Sequence, residues 1–163
     1  MKKIVCVIAC FVMGYCVSAQ SGFINGFKIG AGVSVDVPAN NLSGYSVGVG
    51  VDLLGQYGIA GKIALTGDIG YTTIFAKNKD FPSYDIVPIR AGIRFFPSSM
   101  FYLAGKIGVG IGVGKSSGSS TAYAIGAGVV MSRNMDVSAT YEGYSKSGFS
   151  TGYIGIRLGY FFN

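Results

Sequence analysis

The sequence predicts an all-β fold, an eight-stranded antiparallel up-and-down transmembrane β-barrel that follows an N-terminal signal peptide. Three observations predict it. The 163 residues are half hydrophobic but only 12% charged, and 27 of them are glycine. A soluble globule carries about 25% charged residues, so this chain is short of the polar surface that water requires. Beyond the N-terminus there is no run of about 18 apolar residues, which excludes spanning helices. What remains is apolar character delivered at every second position, the pattern of strands that give alternate side chains to lipid.

The first nineteen residues have the layout of a signal peptide. Lys2 and Lys3 form a positive start, Ile4 to Tyr15 form an apolar stretch, and Val17-Ser18-Ala19 offers small residues for cleavage before Gln20. A transmembrane anchor would need a longer segment and a basic flank. A lipoprotein cleaved at Cys10 would leave too short an apolar stretch before it. The chain is thus expected to divide into a signal peptide, 1–19, and one barrel domain, 20–163. Cys6, Cys10 and Cys16 all lie in the signal, so neither disulfides nor thiolate–metal sites are available to the mature chain. Loss of Lys2 and Lys3 lowers the net charge from +6 to +4. The remaining basic residues are dispersed singly, which is no nucleic-acid footprint.

Eight alternating segments follow in order. Phe27 to Val37 sets Ile29, Ala31, Val33 and Val35 against Lys28, Gly30, Gly32, Ser34 and Asp36. Tyr45 to Leu53 sets Val47, Val49 and Val51 against Gly48, Gly50 and Asp52. Ile63 to Tyr71 alternates with Lys62, Thr66, Asp68 and Gly70, and Val87 to Phe95 with Arg90, Gly92 and Arg94. Phe101 to Val113 is the most regular, with Lys106, Gly108, Gly110 and Gly112 between its apolar members. Tyr123 to Val129 encloses Gly126 and Gly128. Val137 to Tyr141 runs among Asp136, Ser138, Thr140 and Glu142. Ile154 to Phe162 encloses Gly155, Arg157 and Gly159. Tight turns are expected at Ser98-Ser99 and Ser132 to Asn134, with a longer one over Gln56 to Gly61. Richer loops are expected over Pro38–Leu42, Thr73–Ser83, Lys115–Ser120 and Gly143–Ser150. Short periplasmic turns alternating with longer external loops place both termini in the periplasm.

A lipocalin-like soluble barrel would need a charged exterior, whereas the second face here is mostly glycine with isolated charges. That face suits a narrow interior, so the apolar face meets lipid. Aromatics are expected in two girdles. Phe27, Phe95, Phe96, Phe101, Tyr160 and Phe162 mark the periplasmic one. Tyr45, Tyr71, Phe75, Tyr84, Tyr123, Tyr141 and Tyr153 mark the external one.

Two stretches, VPIRAGIRFFPSSMFYLAGKIGVGIGVG (Val87 to Gly114) and the terminal TGYIGIRLGYFFN, carry a resemblance to small outer-membrane β-barrels. The chain resembles the OmpA-transmembrane, OmpX and OmpW type and the porin-like outer membrane protein β-barrel domain proteins of Gram-negative bacteria. The resemblance implies an integral place in the cell outer membrane. Its implied partners are membrane lipids, lipopolysaccharide and, during insertion, the barrel-assembly machinery. The terminus resembles the signal that machinery reads, with Tyr160 and Phe162 on the lipid face, although the chain ends in Asn163 rather than an aromatic.

Reaction chemistry is not visible. Barrel enzymes such as the lipid A palmitoyltransferase, lipid A deacylase and outer-membrane phospholipase families use a catalytic histidine, and this chain has none, which excludes Ser–His–acid catalysis. Asp136 and Glu142 lie at opposite ends of one strand, unsuited to paired-carboxylate work. Gly108 to Ser116 (GVGIGVGKS) fails the phosphate-loop pattern because residue 109 is valine. No catalytic residue, cofactor or metal site is expected.

The interior charges are the candidate site: Lys28, Asp52, Lys62, Asp68, Arg90, Arg94, Lys106, Asp136 and Arg157, together with Asp36 and Glu142. Buried charge is costly unless paired. Hairpin turns near residues 40, 78 and 147 set Asp52 opposite Lys28, Asp68 opposite Arg90, and Asp136 opposite Arg157. Such a cluster either staples a water-poor lumen or forms the constriction of a narrow pore. Inner glycines in strands two, five and six suggest a water-filled vestibule open to the outside, closed below by the charges. The expected function is a structural or surface role without catalysis, in a monomer. The alternatives are a narrow channel for small solutes or ions, and an adhesin or ligand-binding surface barrel.

Overall fold

The structure is a computed structural model that describes residues 26–42, 44–78, 82–114, 118–146 and 148–162. The signal peptide and its cysteines lie outside the described residues. Eight strands follow one another: β1 (Phe27–Asn40), β2 (Tyr45–Ala60), β3 (Ile63–Ala76), β4 (Tyr84–Phe95), β5 (Phe101–Gly112), β6 (Gly118–Val130), β7 (Met135–Lys146) and β8 (Phe149–Phe161). Each pairs antiparallel with its sequence neighbours, and β8 closes on β1. Closure removes every sheet edge, the condition for placing β-structure in lipid.

The register fixes the size of the cylinder. From Tyr160 the pairing runs through Ala31, Leu53, Ile69, Ile89, Val109, Thr121 and Ser145, and returns to β8 at Ser150. A closed walk therefore shifts ten residues along β8. With strand spacing of about 4.8 Å and a rise of about 3.3 Å per residue, this shear gives a tilt of about 41° and a backbone radius of about 8 Å. Inward side chains fill a cylinder that narrow.

Strands are longer and connections shorter than the sequence alone suggested. Gln56 to Ala60 continue β2 and Gly61-Lys62 alone make the turn, because Gln56 points inward while Tyr57 and Ile59 keep the outward alternation. Pro38 lies inside β1, next to a bulge between Pro38 and Asn40, where a missing N–H disturbs the ladder least. The expected external loops shrink likewise: β3 runs to Ala76, β6 starts at Gly118, and β7 and β8 reach Lys146 and Phe149.

Apolar residues cover the outside. Ile107 is 65% and Ile125 66% exposed, and Val33, Val51, Leu53 and Ile156 stand out in the same way. The outer face is thus built for lipid, as alternation predicted. Two girdle assignments need correction. Phe96 and Tyr153 are buried inside the barrel, since Phe96, directly after β4, continues the phase of Arg94 and Tyr153 shares that of Arg157 on β8. Tyr45 and Tyr84 are only partly exposed and pack against an interior cluster.

Candidate functional site: the barrel interior

The interior is built in three storeys. At the end that holds Phe27 and Phe161, expected from the sequence to be periplasmic, Ala64, Phe96 and Tyr102 form a buried cluster, with the Phe96 and Tyr102 rings 5.5 Å apart. The Arg94 guanidinium lies over the Tyr102 ring, 4.3 Å from its centroid. It donates to Asp136 at 2.7 Å and to Gln56 Oε1 at 3.1 Å. Asp136, 1% exposed, also accepts from the Tyr102 hydroxyl at 3.0 Å and from Arg157 at 3.2 Å.

Above this floor the charges join into two chains. Arg157 donates twice to Asp52, at 2.8 and 2.6 Å, which links Asp52 through Arg157 and Asp136 to Arg94. In the second chain Arg90 Nε donates to Asp68 at 2.8 Å. Lys106 holds the second oxygen of Asp68, and Arg90 reaches on to Glu142. An unpaired ion in such a place would cost several kcal/mol, and multiple hydrogen-bonded partners offset that cost. Between the chains lies a cavity of about 30 Å³ bordered by Ser34, Asp36, Thr72, Arg90 and Glu142, room for one or two waters. Asp36, 1% exposed, accepts from the Ser34 hydroxyl at 2.9 Å.

The third storey is an apolar roof. Leu42, Ile74, Ile86, Ala122, Tyr144 and Tyr153 form a buried cluster across the external half, with Tyr45 and Tyr84 against it. Tyr144 and Tyr153 stack with centroids 5.7 Å apart. Both hydroxyls donate to Glu142, at 3.1 and 2.9 Å, tying the roof to the charge layer.

Inner glycines are seats for these large groups. A Cβ on Gly128 would strike the Tyr102 ring, one on Gly110 the Tyr144 ring, and one on Gly32 the Arg157 guanidinium. In a cylinder of about 8 Å radius, a ring or guanidinium can lie flat only where the opposing wall has no side chain. The expected open vestibule is therefore corrected. Glycine there makes room for side chains rather than for water, and the external half is filled.

A family model, the outer membrane protein β-barrel domain, matches residues 7–162. This chain belongs to that outer-membrane family. No curated protein sequence matches it. Among solved structures, Ail, the attachment invasion locus protein of Yersinia pestis, superposes with a TM-score of 0.61 at 21% identity, covering 83% of this chain and 97% of Ail. Neisserial surface protein A gives 0.55 at 16% identity, with the same coverage of 83% and 97%. A de novo designed transmembrane β-barrel gives 0.56 at 17% identity, covering 88% of this chain and 99% of the design. These likenesses concern the fold, and with the family match they place the chain as an integral outer-membrane barrel.

Within this family member the anticipated charges divide into those that meet and those that do not. Asp52, Asp68, Arg90, Arg94, Lys106, Asp136 and Arg157 line the central lumen with Glu142. Lys62 does not; it is exposed in the β2–β3 turn. Lys28 sits at the periplasmic mouth, donating to the Arg133 carbonyl at 3.2 Å, away from Asp52. Asp68 stands opposite Arg90, but Asp52 stands opposite Gly32 and Asp136 opposite Gly159. The first slip has a plain cause: β1 runs on to Asn40, which moves the turn to about residue 42. In the second, the Arg157 guanidinium crosses the bare Gly159 to reach Asp136 diagonally.

Sequence reasoning missed Gln56, Tyr102, Tyr144 and Tyr153 as parts of this interior. Strand phase was the available signal, because each shares the parity of the charges on its own strand or sheet face. Tyr160 and Phe162, expected on the lipid face, are 51% and 61% exposed, with their rings 5.9 Å apart.

Proposed function

We propose that this barrel is a closed, non-catalytic cylinder whose role is structural or exerted from its surface. One observation supports the reading most: buried aromatic and aliphatic clusters cross the lumen at both ends, with paired charges between. Among the described residues no group of three metal-binding side chains occurs, and the chain lacks histidine. The external connections are also short, with two residues between β7 and β8, which leaves little scaffold for a large recognition surface. A channel for small solutes would require both clusters to move aside.

The same reading takes membrane lipids and lipopolysaccharide as the surroundings of a monomer. It gives Tyr160 and Phe162 to the barrel-assembly machinery as an insertion signal, after export and removal of residues 1–19.

Planar-bilayer recording tests the closed cylinder. The parent protein is expected to be silent, and Arg94→Ala or Lys106→Ala alone should stay silent because the roof persists. Combining Arg94→Ala with Tyr102→Ala, Tyr144→Ala and Tyr153→Ala, which opens both clusters, should produce leak. Steady conductance in the parent would instead establish the channel.

A further inference from the structure

The outer wall is not equally apolar all round. On β1, β2, β3 and β5 outward apolar residues continue to the external end: Val37, Val47, Phe75 and Val113 are each at least 41% exposed. On β6, β7 and β8 the apolar face stops sooner. Tyr123 and Tyr141, rings 6.3 Å apart, stand five residues short of the ends of β6 and β7. Above them the outward positions are Thr121 and Ser119 on β6, Gly143 and Ser145 on β7, and Gly152 and Ser150 on β8. None is charged and none is apolar beyond glycine. The two tyrosine rings cover the outward glycines, Tyr123 over Gly143 and Tyr141 over Gly152.

The change is abrupt at the β5–β6 seam, where Val109 pairs with Thr121 and Ile111 with Ser119. With a rise along the barrel axis of about 2.5 Å per residue at this tilt, the apolar boundary lies about 10 Å lower at Tyr123 and Tyr141 than at Phe75. Tyrosines with an apolar body and a polar tip mark membrane boundaries, so this pair marks the boundary on its own wall. Three strands by about 10 Å give a strip of about 150 Å². A stable protein partner needs about 800 Å² per side, which disfavours a second copy. An uncharged wall of hydroxyls suits hydroxyl- and ester-bearing lipid headgroups.

We propose that the external third of the β6–β8 wall is a headgroup notch, where polar heads of the surrounding lipids descend beside the barrel and the bilayer thins locally. All three cysteines lie at positions 6, 10 and 16, so a chain without its signal accepts single-cysteine nitroxides cleanly. Labels at Thr121, Ser145, Val113, Phe75 and Val129 would be read in phosphatidylcholine–phosphatidylglycerol vesicles. Collision with lipid-soluble oxygen would be compared with collision with a water-soluble nickel chelate. The expected result is several-fold greater nickel access at 121 and 145 than at 113 and 75, although 113 and 75 lie nearer the strand ends, with 129 in hydrocarbon. Equal access at 121 and 113 would overturn the notch. Nickel access at 129 as well, at the opposite end of the same strand, would overturn it, since the whole β6 wall would then lie outside hydrocarbon. Loss of both collisions at 145, with dipolar broadening between labels, would replace it with a dimer.

Discussion

Asp136→Asn is the most informative single change in the lumen. Asp136 is 1% exposed and accepts from Arg94 at 2.7 Å, Tyr102 at 3.0 Å and Arg157 at 3.2 Å. The amide keeps the shape but removes the charge, and its NH₂ faces donors where an acceptor stood. Arg157 retains Asp52, but Arg94 is left with Gln56 as its hydrogen-bond partner and the Tyr102 ring beneath it. Breaking a buried pair from one side costs about 3–5 kcal/mol. The second link to Arg157 is longer and shared, so most of that cost falls on Arg94. Equilibrium urea unfolding in lipid vesicles should show a loss of about 3 kcal/mol or more for Asp136→Asn. Replacing Asp136 and Arg94 together by neutral residues of similar volume should recover much of it, because no unpaired ion remains. A loss under about 1 kcal/mol, or no recovery in the double variant, would refute the hub role of Asp136.

Other consequences follow from register and packing. Ile107→Arg places a cation on the lipid face near mid-wall and should cost about 2–4 kcal/mol, against at most about 1 for Thr121→Arg nearer the boundary; folding yield into vesicles ranks the two. Ser34→Arg should also lower folding yield, although it changes a lumen position, since the new side chain would have to enter a cavity of about 30 Å³. Gly128→Val drives a side chain into the Tyr102 ring, whereas an added Cβ at Gly105 meets nothing within 4 Å. Heat-induced mobility shift on gels should therefore collapse to lower temperature for the first and barely move for Gly105→Ala. Double-mutant cycles should find strong coupling between Asp68 and Arg90 and none between Asp52 and Lys28; additivity in the first pair would mean the β3–β4 register is misplaced.

Alternation by itself determined the barrel, the number of strands and which face meets lipid. A period of two survives any uncertainty about where a turn falls, and the outward valines and isoleucines of β1, β2 and β5 needed no partner to be recognised. It also determined that charges share the inner face, because Arg90, Arg94 and Lys106 fall in phase with glycine. What tertiary structure decided was which of those groups touch. Pairing depends on the turn centre to a single residue, and the β1–β2 turn centred two residues further along than composition suggested, so Asp52 faced Gly32 and met Arg157, which reaches over that glycine from β8, instead of Lys28. Long-range partners such as Arg94 and Asp136 arise from closure, which no hairpin reveals. Glycine carried the deepest ambiguity. An absent side chain looks the same in sequence whether it leaves space for water or a seat for a neighbouring ring, and only the radius set by a ten-residue shear, with Tyr102, Tyr144 and Arg157 lying across Gly128, Gly110 and Gly32, decided that the lumen is full.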